Sequence, residues 1–321
     1  MYKLKNLLQL SGGKKILKNK KKEFDIVIYH SECRDGICSM WCYYYYSDNS
    51  FEQIGIAAGK DPDINNHDFN NKRILFVDVC PSITFIKKLA EIASYILIID
   101  HHETNQKKSF DLGTNSNITM LFDMKRAACM MTWDYFFNNS KRPWFINHVG
   151  ARDIWAENLK HNLEIIKALD YMELIKENNI EEIDKLIKYK NKDKKKLIDT
   201  GKNIITIMNK IMKDESKKAL EGKIKVNSMI YRVWVHTIIS NLVSDFGNYM
   251  TKINFTDNTQ PDFVVIWFYD PKNNSFYVSM RGHDNSPNLA TIAEHFGGGG
   301  HPKASGFRIN NNMKLQDIIM L

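Results

Sequence analysis

The sequence predicts an α/β protein, with an N-terminal parallel-sheet domain, a helical linker and a smaller C-terminal α/β domain. Three observations predict it. Three runs, Asp25-Ile-Val-Ile-Tyr-His30, Arg73-Ile-Leu-Phe-Val-Asp78 and Tyr95-Ile-Leu-Ile-Ile-Asp100, are continuously apolar and end on a polar residue. Apolar continuity without alternation is what a sheet buried on both faces requires. Helical stretches separate these runs, which is the alternation of βαβ units. Finally, composition shifts near Val226, from Lys-, Glu- and Ile-rich helical spacing to aromatic-rich strands.

In chain order, residues 1–22 form a basic tail, 23–170 the first domain, 171–225 the linker and 226–321 the second domain. Within the first domain the spacing predicts helices over 38–46, near 83–93, over 127–137 and from 144 to about 168. The linker has few breakers, and the lysine run at 188–196 reads as its solvated face. In the second domain, strands over 229–235, 263–268 and 275–280 surround a helix around 242–251, and a helix over 289–296 leads into Gly297–Gly300. The aromatic side chains Tyr43–Tyr46, Trp155, Trp267 and Phe296 fall mostly at core spacing, not on a base-stacking platform.

The net charge of +8 belongs to the tail: residues 1–22 hold eight lysines and no acid, so the rest of the chain is formally neutral. Such a tail is either a solvated extension or a weak contact for nucleic acid or another anionic surface. It has no Arg and no long apolar stretch, which disfavours a secretory signal. Five cysteines without a Cys-x-x-Cys pair argue against a disulfide framework and for a reducing, cytoplasmic setting. The apolar runs are too short to span a bilayer, so no membrane partner is expected.

Chemistry is concentrated where the strands end. His30 closes the first, with Cys33 and Asp35 just beyond; Asp78 closes the second; Asp100, His101 and His102 close the third. In open parallel sheets ligands bind outside the carboxyl ends of the strands. A single Asp at a strand end is usually a cap or turn former. Three strand ends carrying acids and imidazoles, without partnering lysines, would repel one another unless a cation neutralised them. Their oxygen and nitrogen donors suit Mn²⁺ or a similar first-row divalent ion, and a bridging carboxylate would hold two such ions about 3.5–4 Å apart for in-line attack on phosphorus.

At these residues the chain resembles the DHH-family phosphoesterases that carry a DHH-associated C-terminal domain, a group including nanoRNases and RecJ-like nucleases. Asp100-His101-His102 matches the motif that names the family. Asp78 in Leu-Phe-Val-Asp-Val-Cys matches the second motif, and Asp153 in Gly150-Ala-Arg-Asp-Ile-Trp155 the fourth. Gly297-Gly-Gly-Gly-His301-Pro-Lys-Ala-Ser-Gly-Phe307 matches the glycine-histidine signature of the associated domain, and Ser279-Met-Arg281 fits the strand before it. The resemblance covers roughly residues 24–310. One motif departs from it: where the family has His followed by Asp-x-Asp-Gly, this chain reads His30-Ser-Glu-Cys33-Arg-Asp35-Gly36. Cys33 stands in place of the first Asp, and Glu32 is the nearest acid that would substitute for it.

The resemblance implies a hydrolase that cleaves phosphodiester bonds of short oligonucleotides or small nucleotides with metal-activated water. Asp35, Asp78, His101 and Asp153 would hold one ion; His30 and Cys33, with Asp78 bridging, the other. Because thiolate prefers softer ions than Mn²⁺, one or two ions remain open. His102 would act on a phosphate oxygen or the leaving group, with Asp100 orienting the imidazoles. In the second domain, the amides of Gly298, Gly299 and Gly300 would form an anion-binding nest, with His301, Arg281 and, more weakly, Lys303 adding charge-assisted hydrogen bonds. The substrates expected are di- to pentanucleotides, 3′-phosphoadenosine 5′-phosphate or a linearised cyclic dinucleotide. Oligomeric state is left open. Two alternatives stand beside this one: a pyrophosphate or polyphosphate hydrolase, and a nucleic-acid-binding pseudoenzyme with an impaired first metal site.

Overall fold

A computed structural model describes residues 22–31, 33–47, 49–106, 116–156, 158–177, 179–238, 242–271, 274–309 and 314–321. The tail through residue 21 and Glu32 lie outside the described residues. The first sheet contains β1 (Ile26–His30), β2 (Glu52–Ile56), β3 (Arg73–Val77), β4 (Tyr95–Asp100) and β5 (Ile118–Phe122), all parallel, in the order β2-β1-β3-β4-β5. Alternate residues of the central strands feed two cores. Val27, Tyr29, Leu75, Val77, Leu97 and Ile99 face one side, against α1 (Arg34–Tyr46), α3 (Ala128–Phe136) and α4 (Trp144–Asp153). Ile26, Ile28, Ile74, Phe76, Ile96 and Ile98 face the other, against α2 (Ile83–Ile92). Both faces are buried, so the period-2 pattern of a half-exposed strand is absent from these runs.

The sequence did not announce β2 or β5, because both are sheet edges. β2 (Glu-Gln-Ile-Gly-Ile) buries only Ile54 and Ile56, and every residue of β5 is half-buried. The helix expected from 144 to about 168 is two helices, α4 and α5 (Asn162–Tyr171). Trp155 and His161 between them adopt φ of 56° and 59°, which a right-handed helix cannot accommodate. Trp155 is 44% exposed under the Arg152 guanidinium, 4.0 Å from its ring centroid, and is not a core residue.

Two helices follow, α6 (Ile180–Ile187) and the long α7 (Asn191–Ser216). Within the stretch expected to be linker helix, β6 (Leu220–Val226) is instead a strand, and its burial alternates along Glu-Gly-Lys-Ile-Lys-Val. It opens a seven-stranded sheet with β7 (Met229–His236), β8 (Phe263–Asp270), β9 (Ser275–Arg281), β10 (Gly299–His301), β11 (Ala304–Ile309) and β12 (Ile319–Met320). The order is β10-β11-β9-β8-β7-β6-β12, antiparallel except for the β7–β8 pair. The helices α8 (Val243–Met250) and α9 (Leu289–His295) cover opposite faces, because Phe246 and Met250 belong to one core cluster and Leu289 and Ile292 to the other. Among the described residues no helix is long and apolar enough to cross a membrane, and all five cysteines are free thiols.

Candidate metal centre and active site

Neighbouring strands β1, β3 and β4 bring His30, Asp78 and Asp100–His102 to one rim. Asp78 sits one residue past β3 with φ of 59°, a left-handed conformation that is costly for a non-glycine residue and concentrates at functional sites. Its amide donates to Ile99 O at 3.0 Å, fixing the turn. The first turn of α1 passes so close to β1 that a Cβ on Gly36 would lie 2.2 Å from the His30 carbonyl oxygen. Only glycine fits after Asp35, and the close approach sends Asp35 back under the rim.

Asp35 is fully buried, and it accepts from the amides of Ala128 at 2.7 Å and Cys129 at 2.9 Å at the start of α3. Those amides have no partner within the helix, and the positive helix end favours a carboxylate there. Around it gather His101 Nε2, 3.6 Å from Asp35 Oδ2, 3.2 Å from Asp153 Oδ2 and 3.3 Å from Asp78 Oδ1. The other oxygen of Asp78 lies 3.3 Å from His30 Nδ1. Asp78 is 2% exposed, yet neither of its carboxylate oxygens makes a well-directed hydrogen bond. Two donor groups, Asp35–His101–Asp153 and His30–Cys33–Asp78, each bring their ligand atoms within 4.8 Å of one another. The buried oxygens of Asp78, one facing each imidazole without a well-directed hydrogen bond, fit a divalent cation.

Asp100 stands behind the centre and is fully buried. Its Oδ1 accepts from the His101 amide at 2.7 Å and from His102 Nδ1 at 2.7 Å. Asn105, which the sequence did not single out, donates to Oδ2 at 2.7 Å. The carboxylate therefore orients the His102 ring, and reaches His101 through the backbone alone.

The protonation states reflect the crowding. Burial and the charges of Asp78 and Asp153 push Asp35 up, and burial likewise raises Asp153. Burial opposes the ionised form of Asp78 too, but His101 and His30 outweigh it and hold the carboxyl well below the usual range. Burial lowers His101, yet the Asp78 carboxylate 3.3 Å away and the charges of Asp35 and Asp153 raise it to about 10. His102, buried but paired with Asp100, rises to about 9.

The second domain reaches the rim through His301, whose ring stacks on His102 at 5.0 Å and lies 5.8 Å from His101. Burial and the two neighbouring imidazoles lower His301 to about 4. The glycine run that carries it is not one continuous nest of free amides. The amide of Gly297, at φ of 77°, donates to Glu294 O at 3.0 Å, and that of Gly298 donates to Ala293 O at 2.8 Å. This pattern is a Schellman cap that ends α9, so the Gly298 amide expected at an anion is already spent. A Cβ on Gly298 would lie 2.1 Å from Gly306 O, so packing forbids any side chain there. Gly299 and Gly300 lie in the edge strand β10, opposite Gly306 and Ser305. Arg281 donates to Met280 O and Ser244 Oγ, both at 2.8 Å, while its buried Nε has no partner. Lys303 pairs with Asp284 at an exposed position, so its charge is already matched away from the rim.

Sequence reasoning also missed what ties the halves together. Asp245, in the first turn of α8, pairs with Arg152 at 3.2 Å and with Lys167 at 2.5 Å. Arg152 stands within the Gly150–Trp155 motif, but nothing in the sequence marks its pairing with Asp245, because ion pairs between separate helices leave no spacing signal.

The DHHA1 domain model matches residues 234–321. An uncharacterized protein of Acanthamoeba polyphaga mimivirus is 26% identical over 307 residues, 89% of this chain and 68% of its own length. The bifunctional oligoribonuclease and PAP phosphatase NrnA of Mycoplasma genitalium is 31% identical over 68 residues, 21% of each chain. A solved exopolyphosphatase-related protein from Bacteroides fragilis superposes with a TM-score of 0.43 at 16% identity, covering 91% of this chain and 89% of its own. Residues 234–321 thus match the DHHA1 domain, and their His301 stacks on the Asp-His-His end of the first sheet.

Proposed function

We propose that the chain hydrolyses phosphodiester bonds of short oligonucleotides or small nucleotides at a divalent-metal centre, with Mn²⁺ in the Asp35–His101–Asp153 group. One observation carries the reading: Asp78 presents two buried oxygens without well-directed hydrogen bonds to two donor groups, one on either side. Divalent ions bound there would offset the negative charge, polarise a phosphoryl oxygen and acidify bound water.

The protein's own groups supply the rest. Asp35, fixed by two backbone amides, and His101 and Asp153 hold the ligand geometry before substrate arrives. Asp100 locks His102 through Nδ1, which leaves Nε2 to donate to a non-bridging phosphate oxygen or to the leaving oxygen. His301, packed against His102, and Arg281, with its unpartnered Nε, are assigned to a second phosphate of the substrate. Gly299 and Gly300 let backbone approach that phosphate without side-chain obstruction. Lys303 and Gly298 take no direct part. The short distance from His301 to His102 supports a small substrate, since the second domain stands directly against the reacting groups. The similarity to the mycoplasma oligoribonuclease and PAP phosphatase supports nucleotide substrates. Free cysteines support a reducing, cytoplasmic setting.

The test is a Mn²⁺-loaded panel of pApA, short RNA and DNA oligomers, cyclic di-AMP, pyrophosphate and polyphosphate, with Asp78→Ala as control. Selective release of mononucleotides is expected. Phosphate from pyrophosphate or polyphosphate alone would replace this reading with the inorganic-substrate one, and binding without turnover would replace it with a pseudoenzyme.

A further inference from the structure

The two donor groups within reach of Asp78 are chemically unlike. One offers two carboxylates and an imidazole; the other offers an imidazole, a thiol and a carboxylate oxygen. Hard oxygen donors suit Mn²⁺ or Mg²⁺, whereas a sulfur donor selects borderline and softer ions such as Zn²⁺ and Co²⁺. We infer that the centre is heterometallic: His30, Cys33 and Asp78 bind a thiophilic divalent ion, and Asp35, His101 and Asp153 bind a hard one. The inference rests on the metal-centre reading above and assigns the two positions different ions.

Four observations carry it. Cys33 occupies the N-cap position of α1 in extended conformation, and its side chain makes no capping hydrogen bond. The thiol is thus not consumed by capping, and its sulfur reaches the Asp153 carboxylate instead. His30 Nδ1 and Asp78 Oδ2 are 3.3 Å apart. A tetrahedral ion with bonds of about 2.0–2.3 Å holds its donors about 3.3–3.6 Å apart, so this pair already has the required span. The Cys33 sulfur lies 4.0 Å from Asp153 Oδ1, where it faces the shared rim. Finally, Asp78 is 2% exposed and neither oxygen makes a well-directed hydrogen bond, while one faces His30 and the other His101, each at 3.3 Å, so the carboxylate serves both groups. Three protein donors leave a fourth tetrahedral position for water or substrate, which is the form of a catalytic rather than a structural site. On binding, the Cys33 proton leaves to solvent and sulfur coordinates as thiolate.

The experiment uses the full chain, stripped with chelator and titrated with Co²⁺, then with Zn²⁺ and Mn²⁺ in competition. Wild type should bind two Co²⁺ ions and show a near-ultraviolet thiolate-to-cobalt charge-transfer band. That band should vanish in Cys33→Ser while one ion remains bound. Zn²⁺ should remove the band and Mn²⁺ at equal concentration should not. Cys33→Asp, which restores an oxygen donor, should lower the preference for Zn²⁺ over Mn²⁺ at this position by about 100-fold. X-ray absorption of the zinc-loaded protein should show a sulfur scatterer at about 2.3 Å. Cobalt binding without the band, or a band that persists in Cys33→Ser, would overturn the heterometallic assignment and leave the centre standing. No binding of any divalent ion by the folded protein would overturn both.

Discussion

The two halves of the centre are built differently, though Asp78 lies 3.3 Å from an imidazole of each. The Asp35 half is preorganised by backbone: two α3 amides clamp Asp35, and Asp153 is carried by a helix anchored to the second domain. The His30 half has no clamp of this kind among the described residues, and Cys33 comes from the loop before α1. Rigid carboxylates favour an ion with fixed geometry, whereas a loop-borne sulfur favours an ion that tolerates low coordination. With the proposed ions in place, the difference would let one sheet rim present two ligand sets with separate selectivity, provided a single carboxylate spans them.

The comparison breaks most completely at the shared residue. Asp78→Ala should cost about 10³-fold or more in kcat/KM, because metal-assisted charge stabilisation is worth several kcal/mol. It should also remove both ions by elemental analysis. Loss of only one would mean that the halves are independent. Asp35→Asn should cost roughly 10²–10³-fold and yet spare the Cys33 band in the cobalt protein, which separates the halves directly. Asp100→Asn replaces no residue of either ligand set and should cost about 10–100-fold, as removal of groups orienting a metal site or catalytic imidazole does. Its effect should fall on kcat more than on KM, because His102 loses its orientation while the substrate's phosphate contacts stay in place.

A pH series sharpens the comparison further. In the metal-stripped protein, His101 is raised to about 10 by the carboxylates around it, after burial has pulled the other way. An ion can be ligated only by the neutral ring, so binding at neutral pH must expel a proton. Affinity of the Asp35 half should therefore rise with pH by up to about tenfold per unit from pH 7 and level off near pH 10. Calorimetry in buffers of different ionisation enthalpy should read at least one proton released. Affinity that is flat in pH would mean that His101 is already neutral.

Much of this was legible in the chain. The runs ending in His30, Asp78 and Asp100 betrayed the parallel sheet because burial on both faces removes polar residues, and strand-end chemistry then located the rim. The edge strands β2 and β5 were not legible, since a half-exposed edge reads like any mixed segment. Nor was β6, whose alternation is carried by Lys and Glu and so mimics a solvated helix. At the site, residue type named the ligands, but the left-handed turn at Asp78, the amides beneath Asp35 and the support of Asn105 are tertiary facts without local signature. The glycine run misled for a physical reason: glycine before a strand serves a helix cap as readily as an anion.

The smallest effects concern the two ion pairs that brace the halves. Arg152–Asp245 beside the Asp35 half has side-chain exposures of 16% and 13%, and Lys167 shares the same carboxylate. Arg34–Asp170 beside the Cys33 half has exposures of 37% and 33%. Solvent screens the second pair far more than the first, and exposed pairs contribute about 0–1 kcal/mol. Asp245→Asn should leave two cations facing a neutral amide, loosen the second domain's hold on α4 and raise KM about fivefold, roughly 1 kcal/mol. Arg34→Gln should change KM by less than about twofold. If Arg34→Gln instead matched or exceeded Asp245→Asn, the brace on the Cys33 side would be the stronger one. The contrast between a rigid hard half and a looser soft half would then have to be reversed.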